Sequence, residues 1–288
     1  MSKQEVVPRP ILKWAGGKTT SLPVILAHLP KRINTYYEPF FGGGAVFFAL
    51  ARAGRFDKAH ISDTNRELTT TLKAVRDSLP RVIEALGRLS DGVITEARYN
   101  QIRSTPMIAE HEIAARMIFL NKACFNGLYR VNKKSGEFNT SWGKRERVFP
   151  DLLNLAAAAQ ALQGVSISCC SFAMADEAER GDAVYFDPPY FPVSKTANFD
   201  GYTRSGFQHS DQLRLAAMFA SIAQRRVTVL ASSADTQAAR DIYGSIPRTE
   251  IIETTCPRAI NNNGKGRGRV GELLFVANGP KKTAKERA

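Results

Sequence analysis

Four consecutive residues, Asp187-Pro188-Pro189-Tyr190, carry the most pointed chemistry in the chain. They follow the apolar run Ala183-Val184-Tyr185-Phe186, which reads as a short buried strand. The two prolines end that strand, because neither can donate to a ladder. They also bias the preceding backbone toward extended geometry and stiffen the turn. A carboxylate, a free Pro188 carbonyl and one aromatic ring are thereby mounted at the C-terminal tip of a strand, where open α/β sheets bind ligands. The set suits an exocyclic amine on a planar base. Such an amine is a weak nucleophile, because its lone pair is delocalised into the ring. Two acceptors aimed at its two hydrogens return electron density to nitrogen and stabilise the positive charge that grows during alkylation. Tyr190 can stack on the face of the base. The plain alternative is a strand-ending turn with a surface aspartate.

The elements that would position this turn are strands joined to helices. Thr35 to Phe40 predicts a strand, Phe41-Gly42-Gly43-Gly44 a turn, and Ala45 to Leu50 the opening of a helix. Glycines in such a turn let backbone approach a ligand. The dinucleotide pattern G-x-G-x-x-G fails, because Phe47 stands at its third glycine. A pyrophosphate ligand loses ground and a smaller nucleoside gains it. Glu38 adds a carboxylate beside the turn, and Glu38, Phe40, Gly42 and Gly44 are assigned to a cofactor pocket. A second strand, Lys58 to Ser62, ends on Asp63, 19 residues after Gly44. An acid at about that spacing typically accepts from ribose hydroxyls. Capping a helix that begins near Asn65 is the other role open to Asp63. Upstream, Pro10 to Thr19 imitates a phosphate loop, but Leu12 stands where G-x-x-x-x-G-K-T needs glycine. A glycine turn between Lys13 and Lys18 remains, leading into a helix from about Thr20 to His28. Trp14 within it is open to either core or site.

From about Asn65 to Arg130 the pattern turns helical, with apolar residues at 3–4 spacing over Glu67–Ser78, Pro80–Leu89 and Ile113–Ala123. This reads as a helical insertion into an α/β framework. It runs into Asn126-Gly127, a tight-turn signal, then a basic turn at Lys133-Lys134-Ser135-Gly136. Basic residues interleaved with Phe125, Tyr129, Phe138 and Trp142 make a nucleic-acid face, or else a solvated hairpin. Alternation then returns. Strands are predicted at Val165–Phe172, Ala183–Phe186 and Val227–Ser232, and helices at Ser210–Gln224 and 236–243. Thr249–Thr255 and Glu272–Val276 form a hairpin around a glycine-rich basic loop at 259–271. Residues 191–208 gather Gly, Ser, Thr and Asn and read as a lid beside the turn.

The chain has 288 residues, 43% hydrophobic and 23% charged, which is ordinary globular composition with room for a substantial core. No apolar run approaches the ~20 residues of a membrane span, and no signal peptide is evident. The four cysteines form no C-x-x-C pair, and Cys169-Cys170 lies in a strand-like run. Neither a metal site nor a disulfide framework is expected, and the cytoplasm is the expected compartment. The net charge of +13 favours an anionic partner. Its placement agrees: Lys122 to Arg147 holds seven basic residues against two acids, and Arg258 to Arg269 adds four basic residues and no acid. The last residues, 278–288, read as a basic disordered tail.

In one order, K-W-A-G-G-K (13–18), E-P-F-F-G-G-G-A-V-F (38–47), S-D-T-N (62–65), F-N-G-L-Y-R (125–130), G-E-F-N (136–139) and D-P-P-Y (187–190) resemble the Dam-like DNA adenine-N6 methyltransferases of the α-ordered group. The resemblance covers about residues 8–277. It implies a Rossmann-like α/β sheet built from residues 8–64 and 148–277, with residues 65–147 as a mainly helical target-recognition insertion. It implies S-adenosyl-L-methionine as methyl donor and double-stranded DNA as substrate, with no metal and no membrane. By position, Trp14, Lys18, Asp63 and Asp187 match cofactor-binding residues, and Asp187 to Tyr190 match the catalytic motif. Arg130 matches an arginine that reads a guanine. Phe125 and Asn126 match residues that enter the duplex near a flipped base, and Lys13 matches a base-contacting lysine. Lys133, Lys134, Ser141 and Lys144 are placed on the same DNA face. The turn at Lys133–Gly136 has one extra residue, and Ser141 stands where relatives often have proline. G-A-T-C is the target the family favours. RNA adenine methylation, methylation of a protein glutamine by relatives with N-P-P-Y, and a DNA-binding protein with a decayed site are the competing readings. Intact Asp187, Gly42 and Asp63 speak against decay. A monomer is expected in solution.

Overall fold

The computed structural model describes residues 6–132, 136–190, 207–257 and 269–280. In chain order the elements are α1 (Leu22–His28), β1 (Ile33–Glu38), α2 (Ala45–Arg52), β2 (Phe56–Ser62), α3 (Arg66–Asp77), α4 (Leu79–Ser90), α5 (Glu96–Ser104) and α6 (Glu110–Ala123). They continue with α7 (Leu152–Ala161), β3 (Ser166–Ser168), β4 (Ala183–Phe186), α8 (His209–Gln224), β5 (Thr228–Ala234), α9 (Gln237–Gly244), β6 (Thr249–Pro257) and β7 (Arg269–Ala277).

The strands form one seven-stranded sheet in the order β3-β2-β1-β4-β5-β7-β6. Pairs β2–β3, β1–β2, β1–β4 and β4–β5 are parallel. Only β7 runs against its neighbours β5 and β6. The strand order reverses between β1 and β4, and in open α/β sheets the crevice at such a reversal is where ligands bind. β1 ends there on Glu38 and β4 on Phe186, immediately before Asp187.

Side chains alternate across a strand, so successive residues join opposite cores. Tyr36, Tyr185, Leu230, Leu274 and Val276 face one layer, which α1 to α4, α6 and α7 cover. Tyr37, Val184, Phe186, Val229, Leu273 and Phe275 face the other, covered by α8, α9 and the 3-10 turn Phe172–Glu177. β4 is buried on both faces, as a central parallel strand must be. Helices from the 65–147 stretch bury Leu68, Leu72, Val82 and Ile118 in the same core as Ile33 and Ile61 of the sheet.

Several elements depart from the sequence expectations. The strand predicted over Val165–Phe172 is only three residues long, Ser166–Ser168. It is an edge strand paired with β2 alone, and Ser171 instead caps the 3-10 turn that sends Phe172 into the α8 layer. Cys169 and Cys170 therefore lie beyond the strand, with Cys169 exposed. Helix α5 lies inside the stretch read as helical but shows no period of its own, because only Tyr99 and Ile102 of its nine residues are buried. Helix α7 was missed because its run of alanines carries no contrast between faces.

Candidate active site

The glycine turn after β1 is built by conformations that a side chain would oppose. Gly42 has φ 49° and Gly44 φ 69°. A Cβ on Gly42 would stand 2.8 Å from Cδ1 of Trp14, and one on Gly44 would stand 2.2 Å from Cζ of Phe41. The turn is stapled to the end of β2: Phe41 N–H donates to the Ser62 carbonyl, and Gly42 N–H donates to Asp63 Oδ2 at 3.0 Å. Asp63 Oδ1 also accepts from Asn65 N–H at 2.9 Å. The cap of α3 is Asn65 itself, whose side chain accepts from Leu68 N–H, so capping is not the work of Asp63. Burial pushes the Asp63 carboxyl above its ordinary value, while the backbone N–H groups of Asn65, Gly42 and Thr64 oppose that rise.

Trp14 is half-buried between the glycine turn and Tyr129, on which it stacks at 5.0 Å between centroids. Phe40 lies on the other side, stacked on Phe172 at 5.8 Å and edge-on to Phe186. Glu38 is 2% exposed and lies near enough to Asp187 and Lys18 for their charges to act on it. Its carboxyl accepts from Tyr36 O–H at 2.8 Å, and burial raises it to about 8. At neutral pH it is therefore mostly protonated.

At the tip of β4, Asp187 Oδ2 takes a 2.8 Å ion pair from Lys18 Nζ, a lysine only 5% exposed. Lys18 also donates to the Gly16 carbonyl at 2.6 Å, stands 3.6 Å from Glu272 Oε1 and lies 5.0 Å above the Tyr190 ring. Burial raises the Asp187 carboxyl to about 6; the Lys18 ammonium opposes the rise and the Glu272 charge adds to it. The Pro189 carbonyl accepts from Gln212 of α8 at 2.7 Å. Among the described residues nothing donates to the Pro188 carbonyl. Tyr190 is half-buried and its hydroxyl donates to Glu272.

A second cluster gathers the predicted DNA residues. Phe125, Asn126 and Arg130 are exposed around a turn in which Asn126 has φ 56° and Gly127 φ 67°. Lys13 is brought onto this turn by Asn121 of α6. The Asn121 carbonyl accepts from Lys13 N–H at 2.8 Å, and its amide donates to the carbonyls of Lys13 at 2.8 Å and Gly127 at 3.2 Å. Bridges Cys124–Trp142 and Val131–Phe138 make the following segment a hairpin, with Ser141 and Lys144 exposed on its return limb. Lys133 and Lys134 lie outside the described residues, as do most of the predicted lid, the basic loop after β6 and the C-terminal tail. Two of the four aromatics expected on this face point inward instead. Tyr129 is 4% and Phe138 8% exposed, because alternation along the hairpin turns them into the core while Arg130 faces out.

Two residues with structural claims on the site escaped the sequence analysis. Glu272 is a lone acid in the apolar run Glu272-Leu273-Leu274-Phe275-Val276, and Asn121 is a polar residue on the buried face of α6. A polar group in an apolar stripe is the signal that could have found both.

The family model for D12 class N6 adenine-specific DNA methyltransferase matches residues 14–260. The chain belongs to that family. Type II methyltransferase M.MjaIII of Methanocaldococcus jannaschii is 38% identical over 289 residues, spanning 93% of this chain and 98% of that protein. A Type II methyltransferase of Lactococcus lactis subsp. cremoris, M1.LlaDCHI, is 34% identical over 96% of this chain and 98% of its own length. The DNA adenine methylase of Escherichia coli is 33% identical over 93% and 95% respectively. This methyltransferase is thus an enzyme of the adenine-specific DNA-methylating type, and DNA is its substrate class. Among the described residues no group of His, Cys, Asp or Glu could hold a metal ion, and no helix is long and apolar enough to cross a membrane.

Proposed function

We propose that this methyltransferase moves the methyl group of S-adenosyl-L-methionine to N6 of an adenine swung out of duplex DNA, within a short site such as G-A-T-C. The observation that carries the reading is the set at the tip of β4: Asp187, a Pro188 carbonyl to which no described residue donates and the half-buried Tyr190 ring, at the reversal of strand order. The residues fit the donor. Asp63 retains acceptor capacity beside a glycine turn that presents bare backbone, which suits a ribose. Asp187 and Glu272 both flank the ammonium of Lys18, two acids against one base, a balance that favours a second cation. Trp14 and Phe40 bound the turn on its two sides.

Bound S-adenosyl-L-methionine supplies a methyl group already activated on a sulfonium. The protein's part is to make N6 nucleophilic. Asp187 and the Pro188 carbonyl accept its two hydrogens, and the Asp187 charge stabilises the cation that grows on nitrogen. Tyr190 holds the ring by stacking once the base has left the duplex, where N6 would otherwise be paired. Lys13, Phe125, Asn126 and Arg130 meet the DNA around the base, and Ser141, Lys144, Lys133 and Lys134 add to DNA binding. Residues 65–147 supply this recognition surface together with Lys13, and residues 8–64 with 148–277 supply the chemistry.

The test is transfer of labelled methyl from S-adenosyl-L-methionine to duplexes that contain G-A-T-C, the same duplexes with adenine replaced or already N6-methylated, and an RNA of the same sequence. Label confined to unmethylated adenine in DNA, and cut to below a few per cent by Asp187→Ala, is the expected result. Equal transfer to RNA, or activity that survives Asp187→Ala, refutes the proposal.

A further inference from the structure

Glu272 stands where three distant parts of the site meet. It faces Ala234 of β5 and Thr254 of β6 across the ladder, on the same side of the sheet as Tyr185. Only 7% of it is exposed, and a carboxylate buried to that degree requires donors. Ser21, just before α1, donates its hydroxyl to Oε2, Tyr190 donates its hydroxyl to Oε1, and Lys18 Nζ stands 3.6 Å from Oε1. One carboxylate on β7 thereby ties the loop that carries Trp14 and Lys18 to the turn that carries Asp187 and Tyr190.

We infer that Glu272 is a positioning residue for methyl transfer: it fixes the plane of the Tyr190 ring and shares the Lys18 ammonium with Asp187. The inference rests on the proposed function, in which Tyr190 stacks on the target base. A tyrosine held only by its own turn can rotate about its side-chain bonds. A hydroxyl anchored on a strand paired on both sides cannot move without breaking a charge-assisted hydrogen bond. The ring is therefore set before the base arrives, which is the arrangement that makes orientation effective. The second effect is electrostatic. The groups facing Asp187 are Lys18 from the loop before α1, Glu272 from β7, Tyr190 from its own turn, and Glu38, Tyr36 and Tyr185 from β1 and β4. Glu272 is the acid that shares a lysine with Asp187, so its charge draws that lysine away from Asp187.

The test uses the full chain with labelled S-adenosyl-L-methionine and duplex DNA under single-turnover conditions. The variants are Glu272→Gln, Glu272→Ala, Tyr190→Phe and the double variant Tyr190→Phe/Glu272→Ala. Glu272→Ala is expected to slow transfer by ~10–100-fold, the scale of a misplaced reacting group. Because both residues act through one hydroxyl, the double variant should fall within ~3-fold of the slower single variant. Glu272→Gln keeps the shape and an acceptor but removes the charge. It should move the acid limb of the pH–rate profile to lower pH, a shift that mere scaffolding would not produce. Multiplicative losses in the double variant together with an unmoved acid limb overturn the inference while leaving the proposed function standing. Should Glu272→Ala fail to fold, the acid limb of Glu272→Gln decides alone. A wild-type chain that transfers no methyl to adenine overturns both.

Discussion

Asp187→Asn should stabilise the methyltransferase while disabling it. The carboxyl is only 20% exposed, and burial lifts it from an ordinary 3.8 to about 6 despite the Lys18 ion pair. The folded protein thus binds this proton more tightly than the unfolded chain does, so the ionised carboxylate opposes folding. The penalty is absent below the unfolded value of 3.8 and complete above about 6. At about 1.4 kcal/mol per pH unit, the gap is on the order of 3 kcal/mol. Asparagine keeps the shape and an acceptor for Lys18, and Glu272 remains beside that lysine. With an unfolding entropy of roughly 2.1 cal/mol/K per residue over 288 residues, 3 kcal/mol corresponds to a rise in Tm of roughly 5 °C. The assay is thermal unfolding of both proteins, without DNA or cofactor, from pH 4 to pH 8. The advantage of Asp187→Asn should be near zero at pH 4, grow toward pH 6 and then level off. Methyl transfer should drop by about 100-fold or more, the usual cost of an electrostatic stabiliser. A variant less stable than wild type at pH 8, or an advantage that does not change with pH, would refute the reasoning.

Four further variants have outcomes open to measurement. Arg130→Ala should relax selectivity at one base flanking the adenine, because a bidentate arginine–guanine pair is worth ~1–3 kcal/mol of discrimination. Lys144→Ala should instead weaken binding on every sequence and flatten its salt dependence. A panel of duplexes varied base by base separates the two, and a uniform loss for Arg130→Ala would make that residue a backbone contact. Asp63→Ala should weaken S-adenosyl-L-methionine binding by ~1.5–3 kcal/mol in calorimetry, the cost of a lost charged acceptor. Unchanged affinity would leave Asp63 only its bonds to Gly42 and Asn65. Gly44→Ala should cost roughly 2–5 kcal/mol of stability, from the left-handed backbone and the collision with Phe41 together. Chemical denaturation would show this, and a neutral result would mean that the turn can rearrange.

Local rules set much of this protein. The apolar run before two prolines had to end as a strand, and β4 and Asp187 stand where that rule puts them. Three glycines between a strand and an apolar helical run had to make a turn, and Gly42 and Gly44 adopt the backbone that only glycine takes readily. The order of the motifs identified the family that the comparisons then showed. What tertiary structure decided is the partnership of charges and the facing of rings. Glu272 and Ser21 are 251 residues apart, and no local pattern links them. Glu38 reads as a ligand in the sequence; only packing sets the hydrogen bond it takes from Tyr36 and the Asp187 and Lys18 charges around it. Tyr129 and Phe138 read as stacking aromatics, yet hairpin alternation buries them and leaves Phe125 and Arg130 outside. Asn121 joins Lys13 to the Asn126-Gly127 turn only because α6 brings residue 121 beneath both. Periodicity is a property of neighbours along the chain. Desolvation and ion pairing depend on whatever packing places nearby, and for Asp187 that is a lysine from one end of the chain and a glutamate from the other.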